Sequence, residues 1–307
     1  MRQVIESDAE AGDGVCVGGR DPNEQNHSIS ILAMTTPNVL TSQQQYFEGT
    51  WDDDFVITAF SNQYIDVYGG DNTILSTGDN NYVESRDGND TFIMLGDNQE
   101  IVSNGGDNFA LTGHGDDIIS FVGSGGDNIA ISFGGDNEIY STRGDDWVMT
   151  GDGNDFVWSW GGNNTINTGG GDDVIEMYDG DKGNDKIWSG EGDDIIEAGG
   201  GKNYIDAGAG DDLLFAQSRI SDTLIGGEGA DTFHIVNARA RGDLWIEDFS
   251  FEEGDVLRID ADFVGDAFFT GSLQQGDDAV INSSGGTITV KDFFAEGLIN
   301  FSQIDLI

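Results

Sequence analysis

The chain is poor in several things at once. It has one cysteine, Cys16, so no disulfide can form within it, and only two prolines. Lys and Arg together number 12 against 58 Asp and Glu, a formal charge of −46. That balance excludes nucleic acid and anionic membrane surfaces as electrostatic partners. No apolar run approaches the roughly 18 residues of a membrane span. The first 30 residues lack the apolar centre of a cleaved signal peptide. Catalytic signatures are missing too. There is no His-Glu-x-x-His pair for zinc, and Val122-Gly123-Ser124-Gly125-Gly126 lacks the first glycine of a nucleophile elbow. No lysine follows a glycine-rich stretch at P-loop spacing, and His27, His114 and His234 lie in three unrelated contexts. About 45 residues precede the repeats described next, too few for an independent catalytic core. The chain does not read as an enzyme.

What is abundant is glycine, 47 residues, together with acid. With 37% hydrophobic and 10% aromatic residues, a fully disordered chain is excluded. From about Gln45 to Val236 a unit of turn and short apolar strand recurs at a spacing near nine. Its large apolar anchors run Val56, Ile65, Ile74, Val83, Phe92, Ile101, Ala110, Ile119, Ala130, Ile139, Val148, Val157, Ile166, Ile175, Ile187, Ile196, Ile205, Leu214, Leu224 and Phe233. Sixteen of the 19 steps are nine residues, which makes the repeat the organising feature of the chain. Two positions before the anchor stands Asp or Asn in 18 of 20 units, the exceptions being Gln63 and Gln99. Four positions before it stands Gly in 15 of 20, where composition alone gives about three.

Glycines supply turn conformations that a Cβ obstructs. A segment such as Phe55-Val56-Ile57 alternates its faces with period two, so anchors point in and their neighbours point out. One short strand and one tight turn make a unit, and two units close a coil. The expectation is an all-β fold, a right-handed parallel β-roll (β-solenoid) of about ten coils. Residues 1–45 form an N-terminal segment, 46–235 the roll, and 236–307 a β-rich C-terminal cap.

Gly113-His114-Gly115-Asp116-Asp117, Gly151-Asp152-Gly153-Asn154-Asp155, Gly169-Gly170-Gly171-Asp172-Asp173, Gly190-Glu191-Gly192-Asp193-Asp194, Gly208-Ala209-Gly210-Asp211-Asp212 and Gly227-Glu228-Gly229-Ala230-Asp231 resemble the glycine-rich nonapeptide of RTX (repeats-in-toxin) proteins. The resemblance implies a hemolysin-type roll with several Ca²⁺ ions between turns. It also implies bacterial type I export to the outside or the cell surface, guided by a signal in residues 236–307. Trp245-Ile246-Glu247-Asp248-Phe249 and Gly254-Asp255-Val256-Leu257-Arg258-Ile259 resemble the cap that follows such repeats.

Because two units make a coil, turns on one edge recur every 18 residues. Edge one carries Gln63, Asn81, Gln99, Asp117, Asn137, Asp155, Asp173, Asp194, Asp212 and Asp231. Edge two carries Asp54, Asn72, Asp90, Asn108, Asn128, Asp146, Asn164, Asp185, Asn203 and Asp222. Calcium takes six to eight hard oxygens, which carboxylates and turn carbonyls can supply. Successive Asp pairs occur only on edge one, from Asp155 to Asp231. The expected metal residues are Asp117, Asp155, Asp173, Asp194, Asp212 and Asp231 with Gly151, Gly153, Gly169, Gly171, Gly190, Gly192, Gly208, Gly210, Gly227 and Gly229. Asp90, Asp146, Asp185 and Asp222 are weaker ligands. The N-terminal half of edge one, and edge two throughout, are expected to be weakly metallated or dry, with Asn stacked as a hydrogen-bonded ladder. The plain alternative is that the acidic turns are merely solvated.

Outward positions flanking the anchors gather Phe55, Ile57, Leu75, Ile93, Phe109, Leu111, Ile129, Ile131, Trp147 and Met149 into an apolar face. Such patches seldom stay exposed on a monomer. Either residues 1–45, with Ile29, Ile31, Leu32, Met34 and Val39, cover it, or it is a self-association or partner face, or these are ordinary exposed variable positions. The leading reading is a secreted, calcium-folded structural protein that self-assembles, as a surface-layer, filament or matrix component. The alternative is an accessory or adhesive module of a secreted enzyme or adhesin. Ice or carbohydrate binding is a further option, through interrupted threonines or through Trp158, Trp160 and Trp188.

Overall fold

The computed structural model describes residues 38–40, 45–123, 125–178, 183–217, 221–236, 242–259, 273–275, 277–282, 287–293 and 304–306. Every regular element among them is a β-strand, and no helix is long and apolar enough to cross a membrane. The chain divides into two compact units, Met1–Arg143 and Gly144–Ile307.

In the first unit, strands Asn38–Val39, Phe55–Thr58, Thr73–Ser76, Thr91–Met94, Phe109–Thr112 and Ile129–Ile131 form one parallel ladder. Tyr46–Glu48, Tyr64–Asp66, Tyr82–Ser85, Glu100–Asn104, Ile118–Val122 and Glu138–Tyr140 form the other. Successive strands of one ladder come from alternate repeats, and Val56 pairs with Ile74, Ile74 with Phe92 and Phe92 with Ala110. This is the parallel β-solenoid that the nine-residue spacing requires. Anchors are fully buried, Ile65, Ile74, Phe92, Ile101 and Ile119 among them, each contributing about 1.5–3 kcal/mol of apolar burial. Outside, Tyr46, Tyr64 and Tyr82 stack at centroid separations of 5.3 and 4.8 Å. The Arg86 guanidinium lies over the Tyr68 ring and pairs with Asp66.

In the second unit the same pattern continues through Trp147–Met149, Thr165–Gly170, Lys186–Glu191, Tyr204–Ala209 and Thr223–Glu228 on one sheet. Phe156–Ser159, Val174–Met177, Ile195–Glu197, Leu213–Gln217 and Thr232–Val236 make the other. Within residues 236–307 the parallel pairing continues. Leu244–Ile246 and Val256–Ile259 extend the two sheets in parallel, and Thr287–Val290 and Ile304–Leu306 extend them again. Leu273–Gln275 and Asp278–Asn282 then turn antiparallel beside Thr287–Val290. Phe233, Phe249, Phe251 and Phe293 pack ring against ring there, at centroid separations from 4.9 to 6.1 Å, closing the end of a stack that would otherwise expose its core. Strands before Phe55 and after Val236 raise the total to about 11 turns, against the ten read from the repeats.

The expected apolar face is present in the first unit as register columns. Ile57, Leu75, Ile93, Leu111 and Ile131 pair in sequence, and all five are half-buried. Phe55, Phe109 and Ile129 lie in the neighbouring column. In the second unit Trp147 and Met149 are exposed, but they pair with Thr165 and Asn167, where the face turns polar. Of the segment expected to cover this face, Val39 is described and is 66% exposed. Ile29, Ile31, Leu32 and Met34, like Cys16 and His27, lie outside the described residues.

Candidate metal centre

The residue two positions before each anchor does not sit on the solvent side of its turn. Every one of the 20 is buried, because the alternation that turns the anchor inward turns this residue inward as well. A buried carboxylate needs donors. On edge one of the second unit they come from the backbone of the preceding coil. Asp155 N–H donates to Asp173 Oδ1 at 2.8 Å, Asp173 N–H to Asp194 Oδ1 at 2.8 Å, Asp194 N–H to Asp212 Oδ1 at 2.8 Å and Asp212 N–H to Asp231 Oδ1 at 3.0 Å. The five expected aspartates thus form one column, one carboxylate per coil. Oδ1 of Asp173, Asp194, Asp212 and Asp231 is committed, whereas Oδ2 of Asp173, Asp194 and Asp212 accepts no hydrogen bond although these residues are about 99% buried. The Thr168 and Ser189 hydroxyls beside Asp173 and Asp194 donate instead to the Ser189 and Ala207 carbonyls.

Beside this column run the two glycine columns that the sequence marks, Gly151–Gly169–Gly190–Gly208–Gly227 and Gly153–Gly171–Gly192–Gly210–Gly229. A Cβ built on Gly169 would overlap the Gly151 carbonyl oxygen, and one on Gly171 would overlap that of Gly153. Their φ angles of 101° and 121° also belong to glycine. The turns therefore stack backbone on backbone, with carbonyl oxygens where side chains would be.

Burial dominates the electrostatics. It raises Asp173 to about 7, with the charges of Asp155 and Asp194 adding to it. Asp212 rises to about 7 and Asp231 to about 6, again from burial first and acidic neighbours second. Asp194 is raised for the same reasons. Bare buried oxygens next to a carbonyl-lined, side-chain-free cradle fit a hard cation of oxygen preference. Among the described residues no three His, Cys, Asp or Glu side chains converge on one point. Backbone carbonyls would therefore furnish most of any ion's ligands, with the Asp column furnishing the charge.

The other expected ligands are placed differently. Asp117 lies in the first unit, its Oδ1 taking the Gln99 N–H at 2.6 Å and its Oδ2 without a partner, and burial raises it to about 6. Its column neighbours are Gln99 and Asn137, so it has no stacked carboxylate. Asp90 is saturated. Asn72 donates N–H and Nδ2 to its Oδ1, and the hydroxyls of Ser85 and Ser103 donate to its Oδ2. Asp146, Asp185 and Asp222 alternate with Asn164 and Asn203 down edge two of the second unit. Burial, with Asp185 nearby, raises Asp222 to about 7.

Two acidic residues belong here that the repeat register did not reach. Asp255 continues the edge-one column, accepting the Asp231 N–H at 3.0 Å and the Ser250 N–H at 2.7 Å, and burial raises it to about 7. It stands two before buried Leu257, so the same rule finds it once the longer step of 24 residues is allowed. Asp248 takes the N–H groups of Gly226 and Gly227 at 3.0 and 2.8 Å, closing the last glycine turn. No short-range pattern announces it.

The aromatic candidates for sugar stacking contact one another. Trp158 lies 6.0 Å from Trp160, Trp160 meets Tyr178 edge-on at 4.9 Å, and Trp188 lies against Tyr204 at 5.9 Å.

The family model of the RTX calcium-binding nonapeptide repeat (4 copies) matches residues 61–93, 120–148, 140–175, 179–214 and 221–234. No curated protein matches the chain. Repeat spacing, parallel coils, stacked glycine turns and the family match agree: over these residues the chain carries RTX calcium-binding nonapeptide repeats.

Proposed function

We propose that this is a secreted, calcium-folded structural protein whose ions sit along edge one of the second unit, from Asp155 to Asp255. The observation that carries the reading is the column of buried aspartates whose second oxygens lack donors at Asp173, Asp194 and Asp212. Ionised and without a cation, such a column repels itself and loses solvation. With calcium, binding free energy becomes folding free energy. Low calcium inside a cell then keeps the second unit open for export, and millimolar calcium outside closes it. The signal for type I export is assigned to residues 236–307. No catalytic role is assigned.

Self-assembly is assigned to the Ile57–Leu75–Ile93–Leu111–Ile131 column, whose regular half-buried apolar strip a second copy would cover. Calcium titration followed by circular dichroism tests the first part; full sheet signal in chelator, with no heat of calcium binding, would sink it. Sedimentation velocity in millimolar calcium tests the second. Ordered large species that Leu111→Asp abolishes support it, and a compact monomer at all concentrations rejects it.

A further inference from the structure

Where edge one of the second unit carries Asp, both edges of the first unit carry Asn or Gln at most turns (Gln63, Asn81, Gln99 and Asn137 on edge one, Asn72, Asn108 and Asn128 on edge two), and the structure shows what the amide does there. Its oxygen plays the part of the aspartate Oδ1. Gln63 N–H donates to Asn81 Oδ1 at 2.8 Å, Asn108 N–H to Asn128 Oδ1 at 3.0 Å and Asp117 N–H to Asn137 Oδ1 at 3.0 Å. Its nitrogen does what a carboxylate cannot, and donates into turn carbonyls. Asn72 Nδ2 reaches Gly70 O at 3.0 Å, Asn81 Nδ2 Gly78 O at 2.7 Å, Asn128 Nδ2 Gly126 O at 2.8 Å and Asn137 Nδ2 Gly135 O at 2.7 Å. Gln99, one carbon longer, donates to Gly78 O and Asp97 O at 3.0 and 2.8 Å. Where Asp stands instead, the second atom is an oxygen, which cannot donate to a turn carbonyl, and that turn lacks the hydrogen bond the amide supplies.

The first unit's edge-one turns also differ in backbone. Asn62, Asn80 and Asn98 take left-handed φ of 59°, 53° and 54°, and Asn98 Nδ2 donates to Asn80 Oδ1 at 3.1 Å. Asn is the side chain that tolerates this conformation best after glycine. Asp90, a carboxylate within this unit, is closed by an amide and two hydroxyls, and Asp117, whose Oδ2 has no partner, stands singly between Gln99 and Asn137 with no carboxylate stacked on it.

We propose that these turn amides are built-in substitutes for the cation, so that the first unit folds and stays folded without calcium while the second unit requires it. The inference rests on the calcium reading of the second unit. It gives the chain one half that is formed before calcium is met and one half that calcium closes.

Hydrogen–deuterium exchange of the full chain, read by mass spectrometry in chelator and in millimolar calcium, tests it. Peptides within residues 55–140 are expected to be protected in both conditions. Peptides within 150–231 are expected to exchange on the order of 100-fold faster in chelator. Fast exchange of the first unit in chelator overturns the proposal. Protection of both units in chelator overturns the calcium reading and the proposal with it, and which unit changes tells the two failures apart. In the triple variant Asp173→Asn, Asp194→Asn, Asp212→Asn, the second unit should gain protection in chelator and lose most of its calcium uptake. A triple variant as unprotected as wild type without calcium rejects amide-for-cation substitution. Should that variant not fold in any condition, Asn108→Asp with Asn128→Asp makes the converse test. First-unit peptides must then become calcium-dependent, and unchanged protection in chelator rejects the proposal.

Discussion

Three consecutive glycines, Gly169, Gly170 and Gly171, offer a sharp test of the stacked-turn geometry, because only two of them are held by it. A Cβ on Gly169 overlaps the Gly151 carbonyl oxygen and one on Gly171 overlaps that of Gly153, at φ of 101° and 121°. A Cβ on Gly170 meets nothing nearer than Asp152 Oδ1 at 3.7 Å, and no left-handed φ is required of it. Gly169→Ala should cost about 1–3 kcal/mol in backbone strain and about 1–3 kcal/mol in forcing the coils apart. Gly170→Ala should stay within about 0.5 kcal/mol of wild type, or gain from a stiffer unfolded chain, by about 0.4–1 kcal/mol. In thermal melts at saturating calcium, followed by circular dichroism, Gly169→Ala should melt lower by on the order of 10 °C. Gly171→Ala should fall alike and Gly170→Ala should overlay the parent. Equal losses at all three positions, or none at Gly169, would refute the stacking argument.

Further outcomes follow from the same structure. In the metal-free fold Asp173, Asp212, Asp222 and Asp255 titrate at about 7 and Asp117 and Asp231 at about 6, each raised from 3.8. The fold then binds more protons than the open chain, so the chelated protein gains stability as pH falls from about 7 towards 4 and loses it as pH rises again. Sheet signal of chelated protein that declines steadily over that acid range would contradict this. Ile175→Ala removes a fully buried anchor and should cost about 2–5 kcal/mol in urea unfolding with calcium present; a midpoint within error of the parent would show that the coil collapses to fill the gap. Asp248→Ala strips the acceptor from the Gly226 and Gly227 N–H groups and should cost about 1.5–3 kcal/mol, seen as faster amide exchange at those two positions. Unchanged exchange there would mean that water replaces the carboxylate at no cost.

Much of this was legible in the sequence. Period-two alternation around an anchor repeated every nine residues leaves parallel coils as the arrangement that buries Val56, Ile74 and Phe92 together, and the pairing of every second repeat follows from that. The sorting of Asp from Asn and Gln along the two edges was legible as well, since it needs only a count of 18. Three matters were decided by tertiary structure. The turn aspartates lie inside, because a residue two before an inward anchor shares its face, and their Oδ1 atoms are claimed by the coil before. Asp248 and Asp255 reach the last coils from beyond the repeats, across separations of 21 to 24 residues; the rule of two before a buried anchor finds Asp255, and no local spacing encodes Asp248. The nitrogen of each turn amide meets a carbonyl, a contact that separates Asn from Asp by one hydrogen-bond donor and becomes visible only when the turn is folded around it. Composition and period determine that this chain is a solenoid; the direction of a few buried oxygens and nitrogens decides which of its turns close on an amide and which keep a bare carboxylate oxygen.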